Sequence, residues 1–380
     1  MARKIYDVAV IGGGLHGLSA AMHLGRSGKR VLILERHWCG RHASGATAAG
    51  VRTLNRDRGE LDLSLQAMEM WHNMRALVGD DCGFHANGQI WVAENAAALA
   101  RVQAHVEALE RDGYRHEELI GPDELRRLLP ALSPHCLGAS IARRDGAADP
   151  HRALRAFRDS ALAAGASLME QCGVDAIERQ GSDWKLRTGR GDWTVPFIVN
   201  AAGAWSGRIA AMVGDAIPLA TKSSMMMVSE RINPFIKPVV SIVGRSLSFK
   251  QSDQGTLVIG GGLQGVPDLD KETSTARMRV LAAGARAATD LFPSVRDLRI
   301  VRVWAGLEAK TADQLPVVDV SSNAPGVFHA FGFSGHGFQL VPIVGAVMTE
   351  LITQGKTAFP ISRLSARRLM QPSQIKESTP

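Results

Sequence analysis

The sequence predicts an α/β fold: a parallel-sheet domain of nucleotide-binding type, discontinuous along the chain, with a second domain inserted into it twice. Three observations predict it. Residues 7–35 read as strand, glycine turn, helix and strand. The same strand, glycine-turn, helix form recurs near Gly203 and Gly332. Between these lie strand patterns at 222–228 and 256–259 that belong to a separate sheet. A chain of 380 residues, at roughly 100–200 residues per domain, has room for two domains. We place the nucleotide domain at 1–80, 145–220 and 315–368, the second domain at 81–144 and 221–314, and a flexible tail at 369–380.

The elements follow from local patterns. Residues 7–11 and 30–35 are short apolar runs of buried-strand type, and 15–24 between them have helical composition; together they form a βαβ unit, which implies parallel strands. Residues 62–78 carry apolar positions Leu63, Leu65, Met68, Met70 and Trp71 and read as one helix. A strand is expected at 89–93 and a helix at 96–111. Asp149 can cap a helix whose first turn holds Pro150, and Gly165 stops it. A buried strand at 197–201 ends in Ala202-Gly203. A last strand at 327–331 precedes a helix at about 341–354. The polar, basic segment after Ser362 reads as loosely held.

Composition narrows the classes. Hydrophobic residues make up 45% and charged residues 21%, so a sizeable core can be buried. The net charge of +7 is dispersed, with no basic run interleaved with aromatics, which argues against nucleic acid. An acidic substrate or anionic cofactor fits the charge equally well. Cys39, Cys82, Cys136 and Cys172 form no CxxC pair and no metal-ligand spacing. Reduced thiols, no secretory pattern and no spanning apolar stretch together predict a cytoplasmic location without a membrane span.

Gly12-Gly13-Gly14-Leu15-His16-Gly17 fits GxGxxG. Gly12 permits the tight turn, Gly14 lets the backbone approach a pyrophosphate, and Gly17 lets helix and strand pack closely. The pyrophosphate sits on the amides of the helix N-terminus. Glu35 closes the second strand, 18 residues after Gly17, where it can accept from a ribose hydroxyl. His16 occupies a position with no required role in the motif. The segment from Gly40 to Gly50, with Ser44, Gly45, Ala46 and Thr47, supplies hydroxyls and free amides for further phosphate contacts.

The fingerprint with Glu35 and then Ala43-Ser44-Gly45-Ala46-Thr47 resembles the D-amino-acid oxidase superfamily. So do the blocks Val199–Ser206 and Phe331–Phe338, in the same order along the chain. The resemblance is above all to sarcosine oxidase, both the monomeric enzyme and the β subunit of the heteromeric one. The β subunits of proline and hydroxyproline dehydrogenases and of opine oxidases are similar too. It implies a Rossmann-like FAD-binding domain related to glutathione reductase and an inserted antiparallel-sheet substrate domain. It implies that Gly12, Gly14, Gly17, Glu35, Arg36, Ser44, Thr47, Val174, Ala202 and Gly203 line the FAD. Leu15, His16, Gly45, Ala46 and Trp205 lie in the same blocks. The backbone of Gly335-His336-Gly337-Phe338 is expected at the flavin pyrimidine end, where helix-terminal amides stabilise negative charge. His336 is a candidate base, although the family pattern favours a turn residue.

Three departures follow. The position that carries the flavin-tethering Cys in monomeric sarcosine oxidase is Gly306 here, so non-covalent FAD is expected. The Lys that follows GHGF there to hold the substrate carboxylate is Gln339 here. An oxygen-activating Lys has no counterpart at Leu257-Val258, which favours a dehydrogenase over a fast oxidase. The implied reaction is oxidation of the C–N bond of a secondary or D-configured amino acid, by hydride transfer to flavin N5 and then imine hydrolysis. Sarcosine, D-proline, hydroxyproline and opine-like substrates are all compatible. The protein would act as a β-type subunit of a heteromeric enzyme. The substrate carboxylate needs a cation; candidates are Arg52, Arg245, Lys250, Arg302 and Lys310, with Trp304 and Phe249 as pocket walls. His151, at the helix start, matches the region where heteromeric sarcosine oxidase attaches FMN at a subunit interface, against its reading as an ordinary first-turn residue. Alternatives are a stand-alone glycine or D-amino-acid oxidase that produces hydrogen peroxide, a non-catalytic FAD subunit, and an NAD-linked dehydrogenase sharing the fingerprint.

Overall fold

A computed structural model describes residues 6–370. The six-stranded sheet runs, edge to edge, through Val317–Val320, Val327–Phe331, Phe197–Asn200, Val8–Ile11, Val31–Leu34 and Ser167–Met169. All neighbours are parallel except the first pair. Its strands are mostly apolar because both faces are covered, although Asn200 and His329 are fully buried polar members. Alternation divides them: Val8, Val10, Val31 and Ile33 join the helices Leu15–Arg26, Pro150–Ala163 and Gly337–Gln354 in one core. Ala9, Ile11, Leu32 and Leu34 face the antiparallel meander Val174–Gln180, Asp183–Thr188 and Gly191–Val195 in another.

The second sheet has eight strands, in the order Ile300–Lys310, Ala220–Arg231, Thr256–Gly260, Ser248–Gln251, Val239–Ile242, Gln89–Ala93, Gly138–Ala142 and Glu118–Ile120. One pair in it, Val239–Ile242 with Gln89–Ala93, is parallel. All its other pairs are antiparallel, as the resemblance implied. One face packs Ile90, Val92, Met225, Met227, Phe249 and Leu257 against the helix Met278–Leu291. The opposite face roofs the cavity described below.

Several elements differ from expectation for local reasons. The helix expected at 62–78 is two helices, Leu61–His72 and Met74–Val78. Asn73 breaks it by turning its side-chain amide onto the Glu69 carbonyl at 2.9 Å. The last helix begins at Gly337 rather than near 341, so Pro342 lies inside it and GHGF supplies its first turn. The segment after Ser362 is packed, not loose, as far as it is described. Leu364 and Ala366 are fully buried, and Asp319 accepts from Ser365 Oγ at 2.5 Å and the Ala366 amide at 3.1 Å. Residues 371–380 of the expected tail lie outside the described residues. The four cysteines are free and buried. Among the described residues, no helix is long and apolar enough to cross a membrane.

Candidate active site

A cavity of about 590 Å³ opens at the carboxyl ends of the parallel strands, where Ile11, Leu34, Ala201 and Phe331 reach its wall. Ligands of open α/β sheets bind at this edge. Its volume is in the range of cofactor and ligand pockets.

The fingerprint forms the floor. Gly12 has φ +109°, and a Cβ there would lie 2.5 Å from the Ala201 carbonyl oxygen. Gly14 caps the helix Leu15–Arg26 without a side chain, so the helix N-terminus faces the cavity with amides exposed to an anion. One of these, Leu15 N–H, donates to Ser44 Oγ at 3.0 Å. Glu35 accepts from the Gly13 amide at 2.7 Å and the His37 amide at 2.8 Å, which fixes the carboxylate and leaves further lone pairs for hydroxyl donors. Gly17 and Gly45 stay off the wall. A Cβ at either would strike a backbone carbonyl, of Gly12 at 2.0 Å and of Gly40 at 2.3 Å. Their part is close packing beneath the cavity.

Arg36, Ala46, Thr47, Val174, Ala202, Gly203 and Trp205 line the cavity, as do Gly335, His336, Gly337 and Phe338. A hairpin, Val266–Asp268 with Thr273–Thr275, reaches over this end. Its Glu272 binds Arg36 Nη1 at 3.0 Å and the His37 ring, and its Leu269 carbonyl accepts from Trp205 Nε1 at 3.3 Å. Gly306 is also on the wall, with no space for a side chain: a Cβ there would meet Ala46 Cβ at 2.5 Å.

His16 lines the cavity and stacks on Phe333 with ring centroids 3.7 Å apart. His336 sits at the start of the last helix, with Nδ1 3.0 Å from Glu60 Oε1. Glu60 also pairs with Arg56 at 3.1 Å, and both side chains are buried. Burial pushes the His336 pKa down to about 4, so the ring is neutral at physiological pH. The Glu60 carboxylate beside Nδ1 favours the proton on that nitrogen, which leaves the lone pair to Nε2. Burial opposes charge on Glu60 too, but Arg56 and then His336 hold its pKa at about 2.

Among the cation candidates, Arg52 lines the cavity. Its Nη1 donates to the Leu54 carbonyl and, at 3.5 Å, to that of Asn55. No carboxylate of the described residues lies within ion-pair distance of it. Burial, and Arg56 alongside, lower its pKa to about 10, which leaves it charged at neutral pH. The other candidates lie elsewhere. Lys250 is turned to the Ala148 carbonyl, 3.4 Å away, because strand alternation puts it opposite the core residue Phe249. Arg245 is in a surface network with Glu94 and Asp290. Arg302 stacks on Trp304, Trp304 Nε1 donates to the Ala46 carbonyl at 2.9 Å, and neither these nor Lys310 reach the wall. Gln339 is fully buried away from the cavity: its Nε2 donates to the Ser64 carbonyl at 2.6 Å, and its backbone carbonyl accepts from Trp71 Nε1 at 2.7 Å. His151 is an exposed first-turn residue whose amide donates to Asp149 at 2.8 Å.

The roof carries groups that sequence reading passed over. Lys222, Ser224 and Met226 alternate on one strand, Gln89 and Trp91 on another, and Gly306 and Glu308 on a third. Lys222 and Glu308 are cross-strand partners, with Nζ 3.7 Å from Oε1. Ser224 Oγ donates to Glu308 at 2.6 Å, and Lys222 Nζ to the Ser334 carbonyl at 3.2 Å. The alternation of Lys222, Ser224 and Met226 was the available signal.

Neutral buried histidines predict acid sensitivity. Burial lowers the pKa of His16 to about 3, and those of His23 and His336 to about 4. Below the unfolded value near 6.5 the unfolded chain binds protons that the folded one refuses. Stability is therefore full above pH 6.5 and falls as pH drops towards 4, by up to ~1.4 kcal/mol per pH unit per histidine. The urea midpoint should drop measurably from pH 7 to pH 5; an unchanged midpoint would mean the rings are not neutral and buried.

The wall thus offers what a dinucleotide needs: anion-facing amides, a fixed acidic residue, glycines where any Cβ would collide, and a second helix N-terminus at the far end. Comparison with known proteins agrees. The chain is 28% identical to the B chain of opine oxidase from Rhizobium meliloti, covering 95% of this chain and 97% of that one. It is 26% identical to the beta chain of sarcosine oxidase from Rhodobacter capsulatus, covering 93% and 86%. Among solved structures, L-proline dehydrogenase from P. horikoshii superposes with a TM-score of 0.89 at 27% identity, covering 96% of this chain and 98% of that one. The model of the DAO family, described as FAD dependent oxidoreductase, matches residues 7–351, and the chain belongs to that family of FAD-dependent oxidoreductases.

Proposed function

We propose that this protein oxidises the C–N bond of a secondary or D-configured amino acid, of the sarcosine, D-proline, hydroxyproline or opine kind, as the β-type subunit of a heteromeric dehydrogenase. The observation that carries this reading is Arg52, a half-buried guanidinium on the cavity wall with no carboxylate of the described residues at ion-pair distance; Glu60, Asp145 and Glu117 act on it only from further away. A guanidinium that faces a cavity with donors to spare pairs well with a carboxylate, and a substrate carboxylate is such an anion.

The fingerprint, Glu35 and the Gly335–Phe338 backbone would hold FAD, which accepts the hydride equivalent from the substrate α-carbon. The protein supplies position and charge. Arg52 anchors the carboxylate. His336, kept neutral, offers Nε2 as acceptor for a proton of the substrate amine, which must be uncharged to react. Glu308, steadied by Ser224 and Lys222, gives the roof a polar end that suits a second polar arm of the substrate. The collision that a side chain at Gly306 would make with Ala46 supports a non-covalent cofactor. The role within a heteromer is supported by relatives named as subunits of opine oxidase and sarcosine oxidase. An FMN at an interface near His151 would raise the flavin content of the complex to two per chain.

The test is turnover of the isolated chain with an artificial electron acceptor and with oxygen. Activity with the dye and little hydrogen peroxide is the expected outcome. Peroxide formed as fast as dye is reduced would make the protein a stand-alone oxidase instead.

A further inference from the structure

The segment that carries Arg52 is held by two buried carboxylates from distant parts of the chain. Asp145 Oδ2 accepts from the Thr53 amide at 2.8 Å and the Leu54 amide at 2.9 Å, and Oδ1 from Thr53 Oγ1 at 2.7 Å. Glu117 Oε1 accepts from the Asn55 amide at 2.7 Å. Its remaining partners are His105 Nε2 at 3.1 Å, His116 Nε2 at 3.5 Å and Ser140 Oγ at 3.3 Å. Asp145 is 0% and Glu117 3% exposed. Three consecutive amides thus end on carboxylates, and burying a carboxylate is expensive unless its geometry is used.

The geometry leads to Arg52. The Asn55 amide that Glu117 accepts belongs to the same peptide group as the Leu54 carbonyl that accepts from Arg52 Nη1. A peptide group is planar and turns as one body. Glu117 grips its N–H end and Arg52 its C=O end, and a charge on one side polarises the bond on the other. Asp145 fixes the preceding peptide groups, so the plane has little freedom to rotate.

We propose that Glu117 and Asp145 are positioning residues for the substrate: they hold the peptide group that aims the Arg52 guanidinium into the cavity, and so set where the substrate carboxylate docks. This rests on the reading of Arg52 as the carboxylate anchor. Neither residue touches the cavity; each acts through the Thr53–Asn55 backbone.

The FAD-loaded protein would be titrated with acetate and propanoate, reading the shift of the flavin absorbance, which needs no turnover and no known substrate. Glu117→Ala should weaken acetate binding about tenfold or more, the effect of losing a hydrogen bond to a charged group, with FAD affinity unchanged. Glu117→Gln, which can keep an oxygen against the Asn55 amide, should restore binding to within about threefold. Asp145→Ala removes the acceptor of both amides and should weaken binding by a similar factor; it carries the test where Glu117→Ala fails to hold FAD. Acetate binding unaltered in both Glu117→Ala and Asp145→Ala overturns the proposal. So does Glu117→Gln as weak as Glu117→Ala, which would assign the effect to lost charge beside His105 and His116. Arg52→Met, run in parallel, isolates the underlying reading: if it binds acetate like the unaltered protein, the anchor itself is wrong.

Discussion

Arg52→Met should weaken binding of simple carboxylates, and raise the substrate KM, by about 100-fold while FAD stays bound. A charge-assisted pair in a site shielded from water contributes ~3 kcal/mol, and each 1.4 kcal/mol is tenfold in affinity. Methionine keeps most of the length and apolar stem of arginine, so the cavity keeps its shape. FAD should be retained because Arg52 is separate from the fingerprint, the Glu35 carboxylate and the Ser44 loop. Measured KM and kcat with FAD content per chain would check this. Unchanged KM would move the anchor to another cation of the wall, such as Lys222 on the roof.

Gly17→Ala should give a protein without FAD. A Cβ there would lie 2.0 Å from the Gly12 carbonyl oxygen and 3.2 Å from Val10 Cγ1. The oxygen is backbone of the turn itself, so the helix Leu15–Arg26 must back away and its N-terminal amides leave the phosphate position. Gly14→Ala is the instructive comparison. Its Cβ meets only the Ser44 hydroxyl, at 3.1 Å, which a rotamer change can relieve, so the loss of affinity should be partial. Visible absorbance of the purified variants decides. Full FAD content in Gly17→Ala would show that the turn and helix tolerate separation.

How much of this was legible in the sequence depends on how far apart the partners are. The βαβ unit, the Asp149 cap and the strand before Gly332 are local patterns, and they stand as read. Gln339 misled because adjacency to GHGF was taken for adjacency to the flavin. Residues 337–339 form a helical turn, and the helix rotates about 100° per residue, so the third of them faces Ser64 and Trp71. Lys250 misled in the same way on a strand. Lys222 and Glu308 were missed because they meet only through the register of two strands some 80 residues apart. Glu60, Glu117 and Asp145 were invisible for a related reason. A buried carboxylate has no sequence mark of its own, since its partners are backbone amides and side chains that only the tertiary fold brings in.

The reaction proposed for this cavity is oxidation of an amino-acid C–N bond. The most direct test mixes the FAD-loaded protein, without oxygen, with sarcosine, glycine, D-proline, D-hydroxyproline and an opine in turn. At least one of them should bleach the oxidised flavin band, colour should return slowly in air, and Arg52→Met should need far more of the same compound. An intact flavin band with every member of the panel, in protein that carries a full complement of FAD, would contradict it.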